Sequence, residues 1–354
     1  MTDYDPWAGE ETTTERPATT PPKAKAKRAK AGKADDGDGQ KTIATVLYEM
    51  ALDRYELGVS TSKESFAIPK TGPRILRLFR GNAESLRNQL AREYYDETGK
   101  VAASGGLTDA LASLSGIAQG TMPRRVHTRV AQHGGKTYID VGDETGRAIE
   151  IDANGWRLVD EPPVLFSRVL TKALPEPKRG GDLNDLWFLM NVCEQDRVLL
   201  LAYWLTALEE DVPHPILNLS GEYGSAKTSA AKMLMMLLDP TEALVRTPPR
   251  DETQWVSTSA GAWVMALDNL SRVPDWFSDA LCRAVTGASD VRRKLYTDGD
   301  PHVTQLKLCL IMTGIDLGSL KGDLTDRLLP VELGLLGGAD RVEETHLWAM
   351  WSEI

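Results

Sequence analysis

Eight residues in the middle of the chain have the types and the order that bind phosphate. They are Gly221-Glu222-Tyr223-Gly224-Ser225-Ala226-Lys227-Thr228. The apolar run at 216–219 predicts a buried strand before them, and apolar residues at helical spacing follow them. In that context successive backbone N–H groups and a helix N-terminus form a concave anion site. Lys227 would then reach the β- and γ-phosphates of a nucleotide, and the Thr228 hydroxyl would ligate Mg²⁺.

Alanine at position 226 departs from the strict phosphate-binding pattern, in which glycine is usual there. A methyl group is small, but a backbone position that needs a positive φ strains any residue with a Cβ. The alternative interpretation is an ordinary strand, turn and helix with a surface lysine. The flanking strand and helix favour a nucleotide site formed by the 221–228 loop, with ATP and Mg²⁺ as its ligands.

A second apolar run ends in an acid that suits a metal site. Residues 262–267 are apolar and are followed by Asp268 and Asn269. This is the Walker B arrangement, in which the carboxylate holds Mg²⁺ through water, although buried strands that end in a surface turn are also common. Many hydrolytic enzymes place a second carboxylate next, whereas an amide orients water without taking its proton. Glu222 and Glu252 are weak candidates for a base elsewhere.

Two further positions would complete an ATPase site. A third strand, predicted at 306–313, ends in Thr313, and a polar strand tip in this order resembles a sensor-1 residue, which helps to place the lytic water. Arg327 follows where an oligomeric ATPase carries the finger that reaches a neighbour's γ-phosphate. A central strand with a capped end also explains Thr313. An ion pair with Asp323 or Asp326 explains Arg327 equally well.

Basic residues flank a hairpin predicted between the strand that ends before Asp268 and the strand that ends at Thr313. Asp298-Gly299 lies between extended runs, which is a hairpin-turn signal. A basic hairpin at this place suits a loop that grips single-stranded DNA in the central channel of a ring. An exposed turn whose charges serve solubility is the alternative. The candidate DNA-binding residues are Arg292, Arg293, Lys294 and Lys307.

The elements that must position these residues follow a polar tail. Residues 1–40 are poor in apolar side chains and are predicted to be a disordered basic tail. Their charges either hold nucleic acid non-specifically or keep the chain in solution. The basic cluster consists of Lys23, Lys25, Lys27, Arg28, Lys30 and Lys33.

Residues 41–120 are predicted to be a small, mainly helical domain, a possible DNA-binding or docking module. Apolar spacing predicts one helix over 43–52, a second with Leu86, Leu90 and Tyr94 on one face, and a third that opens at Thr108. Residues 65–79 resemble a strand, a turn and a strand. Four basic residues favour DNA weakly, while a solvated face is the favoured interpretation: Lys70, Arg74, Arg77 and Arg80.

The hydrophobic period changes after residue 120. Residues 121–175 are predicted to be a β-meander and linker, because the segments 126–130, 137–141 and 147–151 alternate between apolar and polar residues. Residues 176–354 are predicted to form the P-loop ATPase domain. Within them a long helix is expected from Asp182 to Leu208, beside the strand of the 221–228 loop. Glu343 is expected to start a helix, and a C-terminal lid is expected to be short or missing.

Composition excludes several classes of protein. A chain of 354 residues with 42% hydrophobic and 26% charged residues suits two or three globular domains. Its apolar runs are too short to span a bilayer, and no signal peptide is recognised. Three cysteines within apolar runs suggest buried, reduced thiols in the cytoplasm, and the histidine spacing predicts no zinc site. The net charge of −10 confines nucleic-acid contacts to local basic patches.

Six segments together resemble a known family. They are GEYGSAKTSAAK, RTPPRDETQW, WVMALDNLS, WFSDALCRAVTG, RRKLYTDGD and DLTDRLLPVEL. They are similar to the ATP-binding proteins of actinobacterial phages and integrative elements, which look like superfamily-3-type helicases of the AAA+ group, akin to the helicase part of phage primase-helicases. The resemblance covers roughly residues 160–354 well and the N-terminal half only loosely.

The resemblance implies an α/β fold, namely a P-loop NTPase (AAA+/superfamily-3 helicase-like) with a three-layer core, preceded by the small helical domain and the β-meander. It implies a hexameric, ATP-driven, DNA-translocating motor for replication of a phage or mobile element, with a primase or other replication proteins as partners. It places nucleotide contacts at Gly221, Gly224, Lys227 and Thr228 and metal coordination at Thr228 and Asp268. Thr313 becomes the sensor and Arg327 the finger, whereas Asn269 follows Asp268 as usual in that family.

Two functions from different classes stay open at this point. The first is an ATP-hydrolysing DNA helicase-like motor, which the basic hairpin and Arg327 favour. The second is a nucleotide-binding switch or loader that assembles with replication partners without unwinding DNA. Ala226, Asn269 and the expected absence of a lid favour the second.

Overall fold

The structure is a computed structural model in which residues 41–81, 83–287, 289–293, 301–314, 320–337 and 342–353 are described. Within 289–293 and 301–305 the description is of the backbone alone. The predicted basic tail at 1–40 lies outside the described residues. None of the described helices combines the length and the apolar character that crossing a bilayer requires.

The segment from residue 41 to 120 contains three helices and a small antiparallel sheet. The first two predicted helices and the predicted hairpin are confirmed, and one strand was not predicted. The third helix begins at Ser104 rather than at Thr108. Gly106 allows this helix to pack closely on the first, since an added Cβ would lie 3.1 Å from Ile43 Cγ2. The elements are α1 (Ile43–Arg54), β1 (Tyr55–Val59), β2 (Ser65–Pro69), β3 (Arg77–Leu78), α2 (Leu86–Thr98) and α3 (Ser104–Gln119).

The predicted meander is confirmed as a four-stranded antiparallel sheet in the order β5-β6-β7-β8. Gly134 (φ 60°) and Gly135 (φ 75°) make the tight turn between its first two strands. The single strand predicted at 126–130 is wrong, because Val126 and His127 pair with a different strand and the chain enters this sheet only at Val130. The elements are β4 (Val126–His127), β5 (Val130–His133), β6 (Lys136–Asp140), β7 (Ala148–Asp152), β8 (Gly155–Val159) and β9 (Leu165–Phe166), and β4 pairs with β9 in parallel.

The long helix predicted from Asp182 to Leu208 is wrong. The chain forms α4 (Leu183–Leu189), a short 3₁₀ turn and then α5 (Arg197–Ala207). Between them Val192 bridges Leu333, and the Cys193 N–H donates to the Glu332 carbonyl at 3.0 Å. Hydrogen bonding to the free edge of the central sheet therefore replaces helical bonds that the apolar spacing alone would predict.

A parallel sheet in the order β11-β14-β10-β15 forms the centre of the C-terminal half. Arg246 bridges Leu267 in parallel outside β11, so the chain adds a further extended segment at that edge. The elements are β10 (Ile216–Ser220), α6 (Lys227–Leu238), α7 (Glu252–Ser259), β11 (Val264–Leu267), α8 (Asp275–Thr286), β12 (Ser289–Arg293), β13 (Pro301–Gln305), β14 (Cys309–Thr313), α9 (Gly322–Thr325), β15 (Leu328–Glu332) and α10 (Glu344–Glu353).

Alternate residues of the central strands enter two apolar clusters. Leu217 and Leu219 of β10 pack with residues of α4, α5 and α6, and side chains of α10 pack against the same cluster. Ile216 packs with residues of α7, α8 and α9. The predicted α/β class is confirmed, and α10 confirms the helix expected after Glu343. The division of residues 41–354 into domains stays a prediction.

A buried ion pair connects the meander to the central sheet. Arg129, which is fully buried, donates from Nε to Asp239 Oδ1 at 2.9 Å. The second oxygen of Asp239 accepts the N–H groups of Trp263 at 2.9 Å and Val264 at 3.0 Å. Asp239 therefore joins the start of β11 to a side chain of the meander, and the buried charge is compensated on both oxygens.

Candidate nucleotide site

The 221–228 loop connects the central strand β10 to α6. Gly221 (φ 143°) requires glycine, since an added Cβ would lie 2.7 Å from Ser225 Oγ and 2.8 Å from the Leu333 carbonyl oxygen. Gly224 has a φ of 83°. Ala226 has φ 63° and ψ 29°, so the concern about its Cβ is confirmed. A left-handed alanine carries roughly 1–2 kcal/mol of strain, and such strain concentrates at functional sites.

The Lys227 side chain folds back over its own loop. Its Nζ donates to the carbonyl oxygens of Gly221 and Glu222, both at 2.8 Å, and lies 3.3 Å from Ser225 Oγ. Burial lowers the pKa of this ammonium, and the nearby charge of Asp268 acts in the opposite direction. The acceptors that hold the cation are neutral, and an anion would be a stronger partner for it.

Three side chains from separate elements meet at the carboxyl edge of the sheet. The Thr228 hydroxyl in the first turn of α6 lies 3.0 and 3.1 Å from the two carboxylate oxygens of Asp268. The Thr313 hydroxyl, at the end of β14, donates to Asp268 Oδ1 at 2.5 Å. The Asn269 N–H donates in turn to Thr313 Oγ1 at 3.0 Å. Parallel strands bring their carboxyl ends to one edge, and that edge is where such folds bind ligands.

The donor types at this edge fit a hard divalent cation. Carboxylate and hydroxyl oxygens are the ligands that Mg²⁺ prefers, and Asp268 and Thr228 already lie within hydrogen-bond distance of each other. Asn269 adopts a left-handed conformation with a φ of 58°, which asparagine tolerates better than most residues. The two suggested bases stay predictions. Glu222 lies on the 221–228 loop, and Glu252 is the first residue of α7.

Arg327 lies at the opposite edge of the sheet from the 221–228 loop. Its carbonyl accepts the N–H of Ile216, the first residue of β10, at 2.8 Å. The five residues of β10 therefore separate it from the loop by roughly 16 Å. Its guanidinium pairs with Asp323 at 2.9 Å, so the ion pair that the sequence suggested is present. The finger role stays a prediction.

The basic hairpin leaves the same amino edge. β12 and β13 pair antiparallel up to Arg293 and Pro301, which confirms the predicted hairpin. Arg292 and Arg293 are described by their backbone, whereas Lys294 and the Asp298-Gly299 turn lie outside the described residues. Lys307, which follows β13, donates from Nζ to the carbonyl oxygen of Glu210. Its ammonium thus has an internal partner.

Basic residues of the N-terminal segment also have internal partners. Lys70 Nζ donates to the Leu52 carbonyl at 2.6 Å, and Arg77 donates to the Glu84 carbonyl at 2.9 Å. Arg74 lies 3.6 Å from a Glu56 oxygen. These contacts favour the solvated-face interpretation of this segment over a DNA surface.

Sequence reasoning missed residues that position the site from a distance. Asp239 holds the start of β11, and Glu210 holds Lys307, yet neither lies in a motif. Asp239 is a lone acid after α6, and Glu210 is the middle of three consecutive acids in a loop, Glu209-Glu210-Asp211. No spacing signal identifies them, because their partners are far away in the chain.

Residues 183–354 match the family model described as actinomycete integrative conjugative element replication protein. The matched segment begins in α4 and contains the 221–228 loop, Asp268, Thr313 and Arg327. It agrees with the resemblance at the level of replication proteins of integrative elements. No curated protein sequence matches the chain.

Two solved structures are similar at low identity. The apo structure of the NrS-1 C-terminal region (305–718) is 9% identical, with a TM-score of 0.46 over 89% of this chain and 68% of that chain. The SCCmec type IV Cch active helicase is 10% identical, with a TM-score of 0.39 over 84% of this chain and 57% of that chain. Scores of this size do not establish a common fold.

Proposed function

We propose that the chain is an ATP-binding and ATP-hydrolysing protein, an oligomeric DNA helicase-like motor that serves replication of a phage or mobile element. The observation that carries the proposal is the meeting of Lys227, Thr228, Asp268 and Thr313 at one edge of a parallel sheet. The family match of residues 183–354 supports a role in replication. In this proposal the central sheet and its helices are a P-loop NTPase core of the AAA+/superfamily-3 type.

Each residue of the site has a separate part in binding nucleotide. The backbone N–H groups of the 221–228 loop and the start of α6 hold the phosphates. Lys227 exchanges its neutral carbonyl partners for phosphate oxygens, and the Thr228 hydroxyl and the Asp268 carboxylate hold Mg²⁺. When bound, the ion neutralises charge on the β- and γ-oxygens. Asn269 orients the attacking water, which leaves its proton to a base such as Glu222 or Glu252.

Arg327 would act on the nucleotide of a neighbouring subunit. Its position at the amino edge, roughly 16 Å from the 221–228 loop along β10, separates it from the site of its own chain. An arginine that stabilises transition-state charge must touch the transferred phosphoryl group, so it has to come from another copy. The proposal therefore includes a homo-oligomer, a hexamer by family resemblance.

The proposed partner of the motor is single-stranded DNA, gripped by Arg292, Arg293 and Lys294 of the hairpin. The hairpin leaves the sheet at the edge where Arg327 lies, away from the nucleotide site. A primase or another replication protein is a further proposed partner, and the cytoplasm is the proposed location.

The test compares ATP binding by wild type, Lys227→Ala and Lys232→Ala with a fluorescent nucleotide. Lys232 is on the same helix, and its ammonium pairs with Glu344 at 3.3 Å. Charged hydrogen bonds contribute about 1.5–3 kcal/mol each, so Lys227→Ala should lower the affinity by roughly tenfold or more. Lys232→Ala should bind as wild type does. Equal affinities in all three proteins would reject the nucleotide site.

The second candidate function is a nucleotide-binding switch or loader. Left-handed Ala226 and the amide of Asn269 favour it, because a strained loop and the absence of a carboxylate beside Asp268 suit binding more than rapid turnover. ATP hydrolysis with and without a single-stranded oligonucleotide separates the two. DNA-stimulated hydrolysis supports the motor, and tight ATP binding without turnover supports the switch.

A further inference from the structure

We infer that residues 208–211, in the connection between α5 and β10, form a joint between the N-terminal half of the molecule and the base of the basic hairpin. The base is the segment around Lys307, directly after β13. We call residues 208–211 the 208–211 joint. Lys307 is then a positioning residue for the hairpin and not a DNA contact. The contacts on the two sides of the joint carry this inference, and only its DNA readout rests on the proposed function.

Side chains of the N-terminal half contact both the carboxylate of Glu210 and the backbone of the joint. The ring Nδ1 of buried His127 lies 2.7 and 2.8 Å from the two carboxylate oxygens of Glu210. Arg125 approaches the same carboxylate at 3.2 Å. Gln132 accepts the Glu210 N–H at 2.8 Å and donates to the Leu208 carbonyl at 2.8 Å. The joint is therefore held in position by three side chains of the meander region.

The charges at the joint are paired across the two halves. Arg125 also pairs with Asp211 at 2.9 Å. Hydrogen bonding from Arg125 lowers the pKa of the Asp211 carboxyl group. The Glu210 side chain is only 12% exposed and that of His127 only 5%, so the contact between them is shielded from solvent, whereas Arg125 is half exposed. Pairs that are shielded in this way keep more of their attraction in salt than exposed surface pairs do.

On the side of the hairpin, Lys307 contacts the joint. Its ammonium donates to the Glu210 carbonyl oxygen. Its stem lies against Gly287, where an added Cβ would approach Lys307 Cδ to 3.2 Å. Gly287 ends α8 with a φ of 72°, so the lysine stem packs on the end of that helix. Stem and ammonium are both used inside the protein, whereas a phosphate contact needs the ammonium at the surface.

Lys307 also connects the joint to the carboxyl edge of the sheet. β13 continues through residues 306–308 into β14, and β14 ends at Thr313, which donates to Asp268. Lys307 is six residues before Thr313, or roughly 20 Å along an extended chain. Because Lys307 is fixed at the base of the hairpin, the hairpin and β14, which carries Thr313, move together. The N-terminal half thereby sets the position of the hairpin relative to the site.

The first experiment separates positioning from DNA contact. Lys307→Met keeps the apolar stem and removes the ammonium, and Lys136→Met is the control, because Lys136 pairs with Glu150 at 2.7 Å within the meander. The salt dependence of binding to a single-stranded oligonucleotide is measured for each. Each phosphate contact contributes about 0.7 to the slope of log K, so replacing Arg292, Arg293 and Lys294 with Ala should lower it by about 2. Lys307→Met should leave the slope unchanged, and a drop of about 0.7 would overturn the inference.

The second experiment needs neither nucleotide nor DNA. Hydrogen exchange is followed in Gln132→Ala and Arg125→Ala, two variants in the N-terminal half outside the nucleotide site. Loss of a hydrogen bond to the joint should speed exchange by about fivefold at 208–211 and in the paired strands 289–293 and 301–305, and leave 221–228 unchanged. Lys136→Met should resemble wild type. Faster exchange at 208–211 with an unchanged hairpin would overturn the inference, while failure of ATP binding would reject only the proposed function.

Discussion

The two edges of the central sheet are organised by different means. At the carboxyl edge, Thr228 and Asp268 come after the ends of parallel strands and Thr313 ends one, so the sheet brings them close enough for both hydroxyl groups to contact Asp268. At the amino edge, Lys307 is held by Glu210, 97 residues away, and Glu210 by His127, 83 residues away. Strand topology therefore suffices to place the first group, whereas tertiary packing selects the partners of the second.

The largest expected effect concerns Arg327 at the amino edge. If it acts in trans, Arg327→Ala should spare ATP binding and lower turnover by on the order of 10³–10⁵. Mixing Arg327→Ala chains with Lys227→Ala chains should restore part of the hydrolysis, since mixed interfaces join an intact site to an intact finger. Light scattering with a non-hydrolysable ATP analogue first establishes assembly.

A matched variant sharpens this prediction. Arg92→Ala also removes an ion pair between residues four apart, Arg92 and Asp96, on the exposed face of α2. If Arg327 serves only its pair with Asp323, Arg327→Ala should lower thermal stability, keep its turnover and gain nothing from mixing. That outcome would indicate that Arg327 has a structural role only and does not act on the nucleotide of a neighbouring subunit.

The next effect is the pH dependence that His214 contributes, also at the amino edge. Burial, with a smaller contribution from the charge of Lys307, lowers the pKa of His214 from 6.5 to about 4. The unfolded chain therefore binds a proton at His214 more readily than the folded protein does. The free energy of unfolding is highest above pH 6.5 and decreases as the pH falls towards 4. The difference corresponds to about 3 kcal/mol. His214→Phe keeps an aromatic ring against Trp263 and should flatten urea-unfolding stability between pH 6.5 and 4 relative to wild type. Parallel curves would contradict the assignment.

A smaller effect is expected for Thr313 at the carboxyl edge. Its single hydroxyl proton goes to Asp268, and its oxygen accepts the Asn269 N–H, while the side chain is almost fully buried. Thr313→Val should raise the Mg²⁺ concentration needed for nucleotide binding by about tenfold, and Thr313→Ser should resemble wild type. Electron paramagnetic resonance of Mn²⁺ with bound nucleotide measures this. Slower turnover with unchanged Mn²⁺ affinity would instead favour direct placement of water, as the sensor interpretation expects.

The smallest effect is a gain of stability at the 221–228 loop. Ala226→Gly relieves left-handed strain of roughly 1–2 kcal/mol, part of which the greater freedom of glycine in the unfolded chain offsets. We expect a net stabilisation of about 0.5–1 kcal/mol in denaturant unfolding. Gly221→Ala is the opposite control, because its Cβ would meet Ser225 and the Leu333 carbonyl. A destabilised Ala226→Gly would indicate that this methyl group makes favourable contacts.

The sequence predicted the fold best where a single periodic pattern runs through an element. α1 and α2 follow their apolar spacing, and the meander follows its alternation. The predictions failed where a sheet edge offered other hydrogen bonds, as at Val192, which bridges Leu333 after α4 has ended at Leu189. A local pattern contains no information about a free edge that is formed by residues far along the chain.

The sequence by itself determined which side chains stand at the ends of the central strands: the 221–228 loop, Asp268 and Thr313. The order of strand, loop and helix and the period of the apolar residues set these positions locally. Only the tertiary structure decided that Arg129 compensates Asp239 and that Glu210 anchors Lys307. Such pairs form between single side chains distant in sequence, and only the packing of the meander against the central sheet brings them within hydrogen-bond distance.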